Sequence, residues 1–257
     1  MCYNLQAALM EELRYAIHRG DIHHAEQLQR QLDELELKKK PIYFTSGFSH
    51  PKILVFTNEE PMKPQLFTWG LIPAWAKDFS TANVLRKKTL NARVETMFDL
   101  PSFKSSAKSK RCLVYVDAFY EYHTVAKKKY PFRIAMKDGE PMAMAGLWTE
   151  WTDKNTGEVI QSFAIVTTEA NDLMAKIHNL PAASDTPRMP LILAKEKQDE
   201  WLIDLKSDAD KEHIMSLAKP YAAEEMSAYT VPQLIGKNGV GNAPEATKEF
   251  VYEELEF

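Results

Sequence analysis

Cysteine is scarce in this chain. Only Cys2 and Cys112 occur among 257 residues, too few for a disulfide framework at this size, so a reducing, cytosolic compartment is expected. No apolar run approaches the length of a membrane span. The start of the chain lacks the basic stretch followed by an apolar one that marks a secretory signal. A strong excess of either charge is also missing. The formal net charge is −4, which does not suit a protein that coats duplex DNA through bulk electrostatics, so any nucleic-acid site has to be a local basic patch. No cysteine–histidine spacing matches a zinc site, and neither metal nor cofactor is expected. Gly236-Lys237-Asn238-Gly239-Val240-Gly241 lacks the Gly-Lys-Ser/Thr close of a phosphate loop and reads as a plain turn. Internal repeats, low-complexity tracts and linkers are absent.

What is present is a composition of 45% hydrophobic and 11% aromatic residues, enough for a sizeable core. One domain over residues 1–257 is expected, as a monomer. Residues 6–40 read as an inserted helical hairpin. Leu5, Leu9, Leu13 and Ile17 fall at roughly helical spacing, Gly20-Asp21 gives a stop and a cap, and Ile22, Ala25, Leu28, Leu32 and Leu35 form a second stripe. His18, His23 and His24 lie in this stretch without a ligand spacing.

From residue 41 the texture turns to short β-rich runs: Ile53–Phe56, Cys112–Tyr120, Phe132–Ala135, Met142–Trp148 and Gln161–Val166. Lys137-Asp138-Gly139 and Asp153-Lys154-Asn155-Thr156-Gly157 predict hairpins, and helices are expected at about 170–178, 195–204 and 208–218. Without regular β–α alternation, the fold class is α+β, with mainly antiparallel, curved or barrel-like sheets and flanking helices. The acidic stretch Glu253–Phe257 is expected to be peripheral.

Five places carry candidate chemistry. Cys2 follows the initiator methionine, and its small side chain suits removal of Met1. The product joins an α-amine, with a pKa of about 8 against about 10.4 for lysine, to a thiol on the same residue. Such a pair captures an aldehyde as an imine and closes it to a five-membered thiazolidine. Trp69-Gly70-Leu71-Ile72-Pro73-Ala74-Trp75 offers flat apolar faces for stacking or for the core. Asn91-Ala92-Arg93-Val94-Glu95 packs an amide, a guanidinium and a carboxylate together. Glu121 ends an apolar aromatic strand, where desolvation suits it to proton transfer. His178 closes an amphipathic helix ahead of Arg188-Met189-Pro190.

As an ordered set, Met1-Cys2, Trp69-Gly70-Leu71-Ile72-Pro73, Asn91-Ala92-Arg93 with Glu95, Phe119-Tyr120-Glu121, and His178 leading to Arg188-Met189-Pro190 resemble the SRAP family (SOS response-associated peptidase proteins). The resemblance runs from about residue 41 onward, together with the first residues. It implies covalent capture of abasic sites in single-stranded DNA within the DNA damage response. Cys2 would supply amine and thiol. Asn91 would hold the amino terminus or the sugar. Glu121 would pass protons at the amine and sugar, and His178 would serve the sugar oxygens. Arg93, with Trp69 and Trp75, would line the strand groove. Arg188 also belongs to the DNA-binding set, and Arg86-Lys87-Lys88 or Lys108-Ser109-Lys110-Arg111 would meet phosphates.

The chain departs from the family's usual Met-Cys-Gly-Arg with Tyr3-Asn4, and Asn179–Pro187 replaces a shorter spacer. Two other readings stand beside capture. One is a cysteine-nucleophile peptidase or self-processing hydrolase built on Cys2, His178 and Glu121. The other is a non-covalent single-strand-binding module. Cys112, in an apolar strand, reads as a buried core thiol.

Overall fold

The computed structural model describes residues 2–7, 41–179, 186–255 and 257. Most of the predicted hairpin, residues 8–40, lies outside the described residues, as do His18, His23, His24 and residues 180–185 of the spacer. The beginning of the hairpin is corrected, because Leu5, Gln6 and Ala7 are extended. They belong to β1 (Asn4–Ala7), which is held on both sides by antiparallel partners, β2 (Ile42–Ser46) and β7 (Ala118–Val125). Pairing on two edges overrides the helical spacing that begins at Leu5.

The first sheet is antiparallel and has five strands in the order β12-β8-β7-β1-β2, with β8 (Lys128–Met136) and β12 (Met226–Thr230). The second contains β3 (Lys52–Thr57), β4 (Gln65–Trp69), β6 (Arg111–Val116), β9 (Met142–Thr152), β10 (Val159–Glu169) and β11 (Arg188–Pro190), with β5 (Asn91–Arg93) pairing β10. Because β10 pairs with β9 as well as with β4, the strands β10-β4-β3-β6-β9 close into a ring. The α+β class and the barrel-like sheet therefore hold. Among the described residues only the β10–β4 and β10–β5 pairs are parallel.

The apolar run Cys112–Tyr120 is two strands rather than one. At Asp117 the chain leaves the barrel for the first sheet; the Asp117 N–H donates to the Gln6 carbonyl (3.2 Å) and its carboxylate accepts from Gln6 Nε2 (3.1 Å). The turn at Asp153–Gly157 does join an antiparallel pair, β9 and β10. Lys137-Asp138-Gly139 instead connects β8 to β9, which lie in different sheets, so it is a crossover and not a hairpin. Between the strands, among the described residues, stand the α-helices α1 (Phe79–Arg86), α2 (Lys104–Ser109), α3 (Asp172–Ile177), α4 (Gln198–Trp201) and α5 (Asp208–Ser216).

One core cluster draws on both sheets, with Val55, Phe67, Trp69, Val114, Met144 and Phe163 from the barrel and Leu5, Phe119, Phe132 and Ile134 from the first sheet. A second, with Phe56, Leu113, Tyr115, Trp201 and Ile214, lies where α4 and α5 cover the barrel. Arg111 is fully buried there. Its guanidinium donates to the carbonyls of Trp201 (2.8 Å), Ala107 (2.7 Å), Lys108 (3.2 Å) and Ile203. Desolvation lowers its pKa to about 10. This residue ties α2 and α4 to β6 and cannot belong to a phosphate-binding surface, which corrects the reading of the 108–111 patch.

The outer edge of β2 is stoppered by a side chain. Asn242 Oδ1 accepts from the N–H groups of Tyr43 (2.7 Å) and Phe44 (3.1 Å), and its Nδ2 donates to Pro41 O (3.3 Å).

Candidate active site at the amino-terminal edge of the first sheet

Cys2 enters just ahead of β1 and is 1% exposed. Its carbonyl accepts a hydrogen bond from Asn91 Nδ2 at 2.8 Å. Asn91 reaches it from β5, a short strand laid beside β10 in parallel register, Ile165 opposite Asn91. The strand is propped from below: the Leu90 carbonyl accepts from the Trp69 indole N–H (2.9 Å) and from Ile165 N (3.0 Å). Gly70 makes the turn after Trp69 at φ +116°. A Cβ there would come within 2.8 Å of Arg86 O and of His50 Nδ1, so only glycine fits.

Asn91 Oδ1 is buried and has no hydrogen-bond partner among the described residues. Leaving a buried acceptor unpaired costs roughly 1–3 kcal/mol, so such an atom asks for an explanation. It lies on the residue that already grips Cys2.

Glu121 arrives from β7. Its neighbour Tyr120 pairs Asn4 of β1, which brings the carboxylate beside the first residues of the chain. Glu121 Oε1 accepts from the Tyr122 N–H (3.1 Å), and Oε2 stands 3.9 Å from His178 Nδ1. Both side chains are shielded, at 12% and 16% exposed. Burial pushes the Cys2 thiol far above its ordinary pKa, and the nearby Glu121 charge pushes the same way, so the thiol is held neutral.

His178 caps α3, its N–H bonded to Met174 O (2.8 Å) and its Nδ1 3.5 Å from the Arg188 carbonyl. A clip holds this helix end against β7. Asn179 Oδ1 accepts from Thr124 N (2.9 Å), Asn179 Nδ2 donates to Thr124 O (2.8 Å), and His123 Nδ1 meets Lys176 O at 2.8 Å. Sequence reading missed Asn179 and His123. The only signal was an amide directly after the helix-capping histidine.

The structure thus gathers Cys2, Asn91, Glu121 and His178. The strand-contacting set separates into two groups. Arg93 lies two residues from Asn91 on β5, hence on the same face, and is partly exposed. Trp75 is 53% exposed, its indole N–H bonded to Pro101 O (3.1 Å). Lys87 and Lys88 are exposed beyond α1, where Arg86 is half-buried with its guanidinium 5.8 Å from the Phe79 ring centroid.

Trp69 and Arg188 are corrected. Trp69 has no exposed surface and stacks on Phe163 at 6.3 Å, so it props the site and offers no face to a base. Arg188 is 4% exposed, with Nη2 bonded to both oxygens of Glu95 (3.1 and 2.8 Å) and to Thr167 O (2.8 Å). It clamps β11 and β10 to the segment after β5. No group of three or more His, Cys, Asp or Glu side chains suited to a metal ion occurs among the described residues, and no described helix is long and apolar enough to cross a membrane.

Comparison with known proteins gives the chain's relatives. The abasic site processing protein YoqW of Bacillus subtilis is 39% identical over 178 residues, 69% of this chain and 72% of that protein. The abasic site processing protein YoaM of the same organism is 39% identical over 168 residues, 65% of this chain and 67% of its own length. A crystal structure of a protein from Bacteroides thetaiotaomicron superposes with a TM-score of 0.81 at 30% identity, covering 97% of this chain and all of that one. The SOS response associated peptidase (SRAP) profile matches residues 11–238, and the chain belongs to that family.

Proposed function

We propose that this protein processes abasic sites in single-stranded DNA by forming a covalent bond through Cys2. What supports the reading is the grip of Asn91 on Cys2, with the Glu121 carboxylate beside the Cys2 thiol and His178 next to Glu121, and with Asn91 Oδ1 left unpaired beside the residue it grips. Removal of Met1 turns the Cys2 amide, with its one fixed N–H, into a freely rotating α-amine, which gives this oxygen a donor. Asn91 then holds Cys2 at two points, by its carbonyl and by its amine.

The chemistry is a condensation. The closed deoxyribose opens to an aldehyde as a proton leaves the C1′ hydroxyl and another reaches the ring oxygen, the step served by His178. The amine nitrogen of Cys2 attacks C1′, and Glu121 takes the proton that nitrogen sheds. That proton passes to the new alkoxide oxygen and makes it a hydroxyl; Glu121 then relays the second amine proton to this hydroxyl, which leaves as water and gives the imine. The thiol then adds to the imine carbon while its proton passes to nitrogen, closing the thiazolidine. One molecule of water is released overall, and no oxidant or reductant is needed. A neutral thiol suits this order, because the amine attacks first and sulfur adds last. A cysteine peptidase would need a thiolate, which burial beside Glu121 opposes.

The test is intact-mass analysis of the full-length protein after incubation with a single strand carrying one abasic site. The expected result is loss of Met1 and an adduct at Cys2 that is stable without borohydride. Asn91→Ala should slow its formation by roughly 5- to 30-fold, the worth of about 1–2 kcal/mol. Met1 removed, DNA bound and no adduct would overturn the reading and bring the hydrolase and the non-covalent binder forward.

A further inference from the structure

The β7–β8 ribbon extends past the candidate site and carries groups that the capture chemistry does not use. Strand alternation places Glu121, His123 and Val125 on one face of β7, and their cross-strand partners Phe132, Tyr130 and Lys128 share that face. At about 3.3 Å per residue, Lys128 stands some ~13 Å along the ribbon from Glu121. The turn runs through Ala126 and Lys127 at φ 46° and 71° and brings Lys127, Lys128 and Lys129 to an exposed tip.

Another part of the chain lies on this face. It is anchored where Phe250 N donates to Thr230 O (2.8 Å), the Thr230 hydroxyl to Phe250 O (2.7 Å) and the Tyr252 hydroxyl to Val231 O (2.9 Å). Beyond the anchor, the Tyr252 ring meets Tyr130 edge-on at 5.0 Å. Lys128 pairs with Glu254, and the Tyr130 hydroxyl donates to the same carboxylate at 3.3 Å. Phe257 packs on Phe132 (4.5 Å) and His123 (5.3 Å). Glu253, Glu254 and Phe257 lie exposed at the periphery, yet Phe257 reaches Phe132, the cross-strand partner of Glu121.

A carboxylate set between aromatic rings, Glu254 between Tyr252 and Phe257, laid on lysine and aromatics has the chemistry of a stretch of single strand, an anionic backbone group flanked by flat bases. We infer that the Lys128–Tyr130–Phe132 face of the β7–β8 ribbon binds the backbone of a single-stranded nucleic acid, and that the segment holding Tyr252, Glu254 and Phe257 occupies it as an internal competitor. Glu254 marks what the site takes, a compact anion beside an aromatic ring. The occupant is built to leave. Phe257 is 60% exposed and both members of the Lys128–Glu254 pair are half exposed, so the contact is weak and screened by salt. A phosphate arriving at Lys128 displaces the Glu254 carboxylate. The strand then lies on the face that leads to Glu121. The inference rests on the capture reading only for where that strand leads.

Equilibrium binding of the full-length protein to an intact single-stranded oligonucleotide, without an abasic site, tests this apart from the covalent chemistry. Fluorescence anisotropy across a salt series compares the wild type with Lys128→Ala, Glu254→Gln and the double variant. Lys128→Ala should weaken binding about 3- to 10-fold and flatten the salt slope by roughly 0.7, one phosphate's share for a single strand. Glu254→Gln should tighten binding about 2- to 5-fold at low salt, an effect lost in the double variant. Unchanged affinity and slope in Lys128→Ala would overturn the proposal, and so would Glu254→Gln behaving as the wild type. Adduct formation at Cys2 is read separately. Adduct without these shifts sinks this site alone, and these shifts without adduct sink the capture reading alone.

Discussion

The chain has two free thiols, both buried, both pushed far up in pKa by desolvation, in surroundings that differ in almost every other way. Cys112 sits in the barrel wall on β6, opposite Gly146 of β9 and Thr57 of β3. Its neighbours fill space: a Cβ on Gly146 would lie 2.7 Å from its sulfur. Cys2 sits just ahead of β1, gripped by the Asn91 amide and facing the Glu121 carboxylate, which in turn stands beside the His178 imidazole. Burial alone therefore does not make a thiol a reagent. The difference lies in what surrounds the sulfur, and in the amine that only Cys2 can add to it.

The largest effect that would break this contrast is its exchange. Cys2→Ala should abolish the DNA adduct, whereas Cys112→Ala should leave its rate per folded molecule unchanged, both read by denaturing gel. An adduct surviving in Cys2→Ala and lost in Cys112→Ala would reverse the assignment. Next in size, Glu121→Gln keeps the shape of the site and removes its proton acceptor. The adduct should form about 10²- to 10⁴-fold more slowly, the usual worth of general acid–base catalysis. A rate within a factor of two of the wild type would reduce Glu121 to packing.

Smaller effects sharpen the Cys112 side. Gly146→Ala forces a methyl against the sulfur and should cost about 1–3 kcal/mol of stability by denaturant unfolding, with the adduct rate per folded molecule unaffected. Last, the two thiols should make the protein lose stability as pH climbs above about 9. Their folded pKa values are raised, so between the unfolded value and the folded one only the unfolded chain gives up the protons. Cys112→Ala should flatten that decline in urea unfolding series between pH 8 and 10, a range flanking the ordinary thiol value. An identical decline in wild type and variant would place Cys112 in contact with solvent.

The gathering of Cys2, Asn91, Glu121 and His178 was legible because each falls in a short motif and the motifs keep their order along the chain. Their support was not. Trp69 is an aromatic next to a glycine, which reads as well for stacking as for core; only the pairing of its indole with Leu90 O decides. Arg188 and Arg111 read as surface cations because sequence carries no record of the carbonyls and the carboxylate that satisfy them. The barrel was legible as a class, from short strands and turn residues. Its closure depends on β9 and β10 being long enough to pair with each other and with the opposite wall, a non-local fact. The break is marked in the sequence by one carboxylate, Asp117, in an otherwise apolar run, because both strands that meet there are buried.

The Asn242 stopper on β2 bears on solubility. The closing strands β10-β4-β3-β6-β9 protect one another's edges, while the first sheet ends at β2, where the N–H groups of Tyr43 and Phe44 meet a side chain and not a strand. One amide oxygen takes both donors in succession. Asn242→Ala would uncover them, and the cost would appear first as self-association through strand-to-strand pairing, at concentrations where the wild type stays dispersed.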